Sequence, residues 1–227
     1  MSIAKLVSYT QPSDDLAKEF ATTPDFQDLV AYCARVSNPN NQMNQETAEK
    51  LVRFLARNAH WSPMEMVNAV IEVNTTRDIA HQIVRHRSFA FQEFSQRYAD
   101  PTKDLSFALR EARLQDTKNR QNSIELGPDG VGLSEQWYQQ QRKVKDAAID
   151  AYKWAIENGI AKEQARAVLP EGMTESRLYM NGTLRSWIHY IQLRSGNGTQ
   201  KEHQQVAMAC AEVVASIFPM IWEYTNV

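Results

Sequence analysis

Residues 85–98 read RHRSFAFQEFSQRY: Arg85, His86 and Arg87 stand in a row, seven residues pass before Ser95, and Arg97 follows. Lysine is absent from this stretch. The planar fork of arginine binds phosphate and carboxylate oxygens two at a time, which a lysine ammonium cannot do. The choice therefore suits fixed recognition of phosphoryl groups or of a planar heterocycle. Gln82, Glu93 and Ser95 add acceptors and donors for hydroxyls and amides. Phe89, Phe91 and Phe94 are threaded between them, and packing on a sheet accounts for these rings better than stacking on a ligand. Without a ligand, the same residues would form a surface salt-bridge network.

Two more polar groups interrupt apolar patterning. His60, Ser62 and Glu65 lie in HWSPMEM, and Arg166, Asn181, Arg185, His189 and Arg194 are spread over residues 165–194. In LRSWIHYIQLR, Arg185 and His189 are helical neighbours at i and i+4. Arg194 ends the same helix, where a cation also suits the C-terminal dipole.

These residues need elements to hold them. Residues 3–8 suit a first strand, and 67–73 alternate as a second. Apolar spacing predicts helices over 26–37, 45–59 and 74–87, the last opened by Thr75 with Asp78 as a short capping box. Arg85–Arg87 would then close that helix, 88–95 would form an extended exit, and 96–100 a short strand. Residues 115–134 are polar and read as an exposed loop. A long helix with a broad apolar stripe follows over 134–160, then a short helix over 162–170. A strand and turn at 174–183 lead to helices over 184–194 and 199–218. The fold class is α+β (loosely α/β), with a small, mostly antiparallel sheet flanked by long helices, in one domain over residues 1–227.

Composition narrows the function. A net charge of −2 in 227 residues argues against a general nucleic-acid binder. No apolar run is long enough to span a bilayer, and the N-terminus has no signal-peptide pattern. Cys33 and Cys210 both sit in apolar helical contexts without CxxC spacing, so they read as buried helix-face residues rather than metal or dithiol sites. A reducing cytoplasm is the expected compartment.

The spacing RHR-x7-S resembles the signature of the flavin-dependent thymidylate synthases. HWSPMEM upstream is similar to that family's His-x-Ser/Thr-Pro/Val-x-Glu segment. ARAVLP (165–170), NGTLRSW (181–187) and LRSGNGTQ (193–200) resemble its downstream blocks, in the same order. The resemblance implies the family's fold and its reaction, methylation of dUMP to dTMP. It implies FAD as cofactor, NADPH as electron donor, methylenetetrahydrofolate as carbon donor, and a homotetramer whose active sites are shared between subunits. It also implies no cysteine nucleophile, no nucleic acid and no membrane.

By motif, Ser62, Arg85, His86, Arg87, Glu93, Asn181, Arg185 and His189 would meet FAD. Gln82, Arg85, Glu93, Phe94, Ser95, Gln96 and Arg97 would surround the nucleotide, with Arg166 and Arg194 closing on it. Arg194 would be the catalytic arginine, stabilising charge on the uracil ring. Met66, His189 and Gly198 stand where many members carry His, Asn and His. The competing readings are a nucleotide- or RNA-binding module using residues 85–98 without catalysis, and a different flavoprotein on the same scaffold.

Overall fold

The computed structural model describes residues 2–225. The chain opens with β1 (Ala4–Tyr9), a one-turn α1 (Asp14–Ala17), α2 (Phe26–Ala34) and α3 (Ala48–Arg57). Asp25 and Asp28 form a capping box that starts α2. A 3-10 turn, Ser62–Glu65, leads into β2 (Asn68–Thr76), which runs without a connecting residue into α4 (Arg77–Ile83). After β3 (Ala90–Glu93) and α5 (Pro101–Asp104), β4 (Arg113–Gln115) and β5 (Ser123–Glu125) pair as a hairpin. The 27-residue α6 (Val131–Glu157) and the short α7 (Lys162–Ala165) precede β6 (Glu175–Thr183). That strand passes directly into α8 (Leu184–Arg194), and α9 (Lys201–Ala215) follows.

The main sheet is four-stranded and antiparallel, in the order β1-β2-β6-β3, so the fold is α+β as expected. β2 and β6 pair over nine residues, from Asn68 against Thr183 to Thr76 against Glu175. Their alternation puts Ala69, Ile71, Val73, Leu178 and Met180 into the core. Trp187, Ile188 and Ile191 of α8 and Val206, Ala207 and Cys210 of α9 join the same core. A smaller apolar cluster of Tyr152, Ala155, Ala165 and Leu169 holds α6 and α7 together.

Phe89 is buried, with its ring edge-on to Trp187 at 4.8 Å, and Phe91 packs on the core beside it. Gly182 makes this possible, because a Cβ there would meet Phe89 ring carbons at 2.4 and 2.5 Å. The two phenylalanines are thus structural anchors, as the sequence suggests.

Four local expectations are corrected. The helix expected over 74–87 starts at Arg77, because ladder pairing carries β2 through Thr76, and it ends at Ile83. Thr76 is its N-cap residue, and its hydroxyl donates to Asp78 at 2.6 Å instead of capping the backbone. Residues 96–100 form turns, because Asp100 caps α5 with Pro101 at the first helical position. Residues 115–134 contain β5 and the first turn of α6. Cys33 is only half-buried, whereas Cys210 is fully buried.

α6 is largely exposed. Gln141, Ala148, Tyr152 and Ala155 are its buried residues, while Leu133, Trp137, Tyr138, Val144 and Trp154 face out of the single chain. The broad apolar stripe exists in sequence but is mostly uncovered here.

Candidate active site

The RHR triplet lies just past α4, in the turn that feeds β3. Backbone bonds from Arg85 N–H to Gln82 O (3.4 Å) and from His86 N–H to Ile83 O (3.0 Å) wind this turn. α8 lies along it, touching it with every fourth residue, the spacing of one helix face. Ser186 Oγ donates to Ser88 O at 3.1 Å, Tyr190 packs edge-on to His86 at 5.0 Å, and Arg194 Nε donates to His86 Nε2 at 3.0 Å.

This last bond fixes the state of His86. Arginine can only donate, so His86 Nε2 must be the bare nitrogen and the ring is neutral. Burial, then the Arg194 charge, lowers its pKa to about 4. Arg194 thus keeps its full positive charge. It uses its Nε–H for His86 and, among the described residues, leaves its terminal fork without a hydrogen-bond partner. Beside it, His189, Gln192, Leu193, Gly196 and Asn197 border an open cavity of about 840 Å³.

The neighbouring face of α8 meets the upstream segment. Arg185 pairs with Glu65, and His189 packs edge-on to Trp61 at 4.7 Å. Burial, then the Arg185 charge, lowers the His189 pKa. Ser62 is exposed at the start of the same 3-10 turn. Asn181 is exposed on β6 and pairs in register with Ala90 of β3. Segments 60–65, 85–90 and 181–194 therefore converge, as their motif assignment to one site requires.

The remaining residues form other groups. Glu93 accepts from Ser176 Oγ at 2.7 Å and faces Arg77 at 3.5 Å. Arg97 pairs with Glu163 of α7 at 3.3 Å, and Arg166 caps that helix. No hydrogen bond or ion pair among the described residues joins Arg97 or Arg166 to Arg194. Phe94 is half-buried, and Ser95 Oγ accepts from Arg97 N–H at 3.4 Å. Gln96 is 4% exposed, and its Nε2 has no hydrogen-bond partner. Buried donors are seldom left unpaired, so this one suits a partner from outside the chain.

Charge tells the same story. Arg85 and Arg87 are exposed and Arg166 is half-buried, and none has a hydrogen-bonding or ionic side-chain partner among the described residues. Unpaired guanidiniums beside a serine hydroxyl and an amide are the donor set that a pyrophosphate and a flavin ring need. The residues present therefore fit FAD. No group of His, Cys, Asp or Glu that could hold a metal ion occurs among the described residues. No helix of the described residues is long and apolar enough to cross a membrane.

Neither thiol is poised for attack. Burial raises the pKa of Cys33 and pushes that of Cys210 up to about 12.

Sequence reading missed Tyr190, Gln200, Glu202 and His203, which form a polar chain with Gln82 that runs from half-buried Glu202 to fully buried His203 and Tyr190. The signal was there: His203 precedes Val206, Ala207 and Cys210 at helical core spacing, a polar residue on an apolar face.

Residues 20–220 match the family described as thymidylate synthase complementing protein. The chain is 46% identical over 218 residues to a probable flavin-dependent thymidylate synthase of Paramecium bursaria Chlorella virus 1, covering 96% of each chain. It is 47% identical over 194 residues to the flavin-dependent thymidylate synthase of Synechocystis, covering 85% of this chain and 86% of that one. In fold it is similar to a UMP/dUMP methylase, PolB, from Streptomyces cacaoi, solved with 5-Br dUMP. The TM-score is 0.77 at 23% identity, covering 97% of this chain and 93% of that one.

Proposed function

The chain belongs to the flavin-dependent thymidylate synthases, and from that premise we propose that it methylates dUMP to dTMP at the site between α8 and the RHR turn. The observation that carries this reading is that Arg85, Arg87, Arg166 and Arg194, all placed at the site by motif, have no carboxylate partner among the described residues, in a chain of net charge −2. Guanidiniums without a carboxylate partner call for anionic ligands.

Ser62, Arg85, Arg87, Asn181 and Arg185 hold FAD, with His86, Glu93 and His189 completing its surroundings. When bound and reduced by NADPH, FAD would supply the hydride that, with the methylene group of methylenetetrahydrofolate, completes the new methyl. The protein's own work is binding and polarisation. Arg97 and Arg166 take the nucleotide phosphate, and Gln82, Phe94, Ser95 and Gln96 line its base and sugar.

Arg194 aims its free fork at the uracil ring, where negative charge must accumulate before C5 can act as a nucleophile. Because His86 is neutral, it orients that fork without cancelling its charge, which is the preorganisation such stabilisation needs. The raised thiol pKa values agree with a route that uses no cysteine nucleophile.

The enzyme acts as a homotetramer in the cytoplasm, with sites shared between subunits. The uncovered apolar residues of α6 support association between subunits. Purified protein should carry a flavin visible spectrum and oxidise NADPH only when dUMP and methylenetetrahydrofolate are supplied. Protein that stays colourless when FAD is added would overturn the reading, and a light-scattering mass of a single chain would overturn the tetramer.

A further inference from the structure

Gln82 sits in a hydrogen-bond chain whose direction can be worked out from one end. Glu202 accepts from Arg113 and, through Oε2, from Gln200 Nε2 at 3.0 Å. Although burial opposes it, hydrogen bonds from its own backbone N–H and from Gln200, with the Arg113 and Arg110 charges, hold its carboxyl below the ordinary range. As an anion it only accepts, so Gln200 must turn its NH2 toward Glu202 and its carbonyl toward Gln82. Gln82 Nε2 then donates to Gln200 Oε1 at 2.9 Å. That leaves Gln82 Oε1 facing His203 Nδ1 at 3.2 Å, so Nδ1 must carry the proton. His203 Nε2 is then bare and accepts from the Tyr190 hydroxyl at 3.2 Å. His203 and Tyr190 are both fully buried.

We infer that His203 is a positioning residue for the nucleotide site: from α9 its Nδ1–H, together with Gln200, holds the Gln82 amide in the one orientation that the Glu202 end sets. A glutamine free to turn can offer either its donor or its acceptor to a ligand. Gln82 cannot turn, because reversal would set NH against NH at His203 and oxygen against oxygen at Gln200. One N–H of Gln82 remains unspent and has a fixed direction. His203 lies outside every motif that identifies the site, and it touches neither Arg194 nor the RHR backbone through a hydrogen bond.

The inference rests on Gln82 contacting dUMP, so its test has one arm that needs no ligand. In 15N-histidine-labelled protein at neutral pH, His203 should show a protonated Nδ1 and a bare Nε2. The opposite tautomer would overturn the inference whatever the enzyme binds.

The second arm compares three variants by dUMP affinity, kcat at saturation, FAD content and melting temperature. His203→Leu should weaken dUMP binding about tenfold, the scale of one buried hydrogen bond left unmade, with kcat nearly unchanged. His203→Asn keeps a donor near the Nδ1 position and should restore affinity to within about twofold of the parent, since it retains that bond. His203→Gln reaches toward Tyr190 instead and should bind as weakly as His203→Leu. Equal affinity for Asn and Gln variants, or an affinity loss that persists undiminished when Gln82→Ala is combined with His203→Leu, would overturn the positioning role. Failure of the parent protein to bind dUMP at all, with the tautomer as stated, would instead overturn the functional reading and the role of His203 with it.

Discussion

Arg194 donates its Nε–H to His86 Nε2 across 3.0 Å, so the residue assigned to activate uracil is held by a neutral ring instead of a carboxylate. A carboxylate partner would orient the guanidinium equally well but would cancel much of the charge the reaction needs.

Replacing Arg194 by Ala should lower kcat by about 10²–10³ or more, the range for removing one preorganised charge-stabilising donor. Flavin content should persist, because the arginines assigned to FAD are others. Arg194→Lys should also fail, since a single ammonium cannot bond His86 and also present a two-point fork. Turnover and the flavin spectrum, measured on the same preparation, check both.

Acid should unfold this protein earlier than its carboxylates alone would cause. Burial first, and neighbouring positive charge second, lower the pKa of His86 from 6.5 to about 4 and that of His203 to about 3. Below pH 6.5 the unfolded chain binds more protons than the folded one, so stability present at neutral pH is lost as pH falls toward those values. Calorimetry from pH 8 to pH 4 should show a melting temperature that begins to drop near pH 6.5. A flat profile down to pH 5 would contradict the neutral, buried state of both rings (that interval lies inside the predicted window).

Gly182→Ala should destabilise the fold by about 1–3 kcal/mol through overpacking against the Phe89 ring. The ring is wedged against Trp187 and cannot move aside freely. Denaturant midpoints test this, and combining the change with Phe89→Leu should recover part of the loss.

Cys33→Ala and Cys210→Ala, singly or together, should keep kcat. Cys210→Ala should cost about 1 kcal/mol of stability because it empties a fully buried position. Loss of turnover in folded, flavin-loaded double variant would restore a thiol to the mechanism.

Much of the site was legible because its residues lie within short motifs on regular elements. α8 spans 184–194 as its apolar spacing implies, and Thr183 accepts from Ser186 N–H to start it. Phe89 and Phe91 were readable as anchors from residue type alone. Other features depend on contacts far apart in sequence. β2 runs on through Thr75 and Thr76 because β6 pairs with them, overriding the helix start suggested by Thr75 and Asp78. Residues 96–100 are expected as a short strand, yet Asp100 and Pro101 together begin a helix turn. His203 lies in the helix expected over 199–218, but its role is not legible there, because its partners Gln82 and Tyr190 come from two other helices.

The two long central strands each pass into a helix with no residue between them: Thr76 is followed by Arg77 of α4, and Thr183 by Leu184 of α8. Such junctions have no slack. One residue inserted in either strand would shift its pairing and turn the following helix, swinging Gln82 or Arg194 out of line. An inserted residue should therefore be tolerated in peripheral connections such as the stretch between β4 and β5 and not between β2 and the RHR turn or between β6 and Arg194.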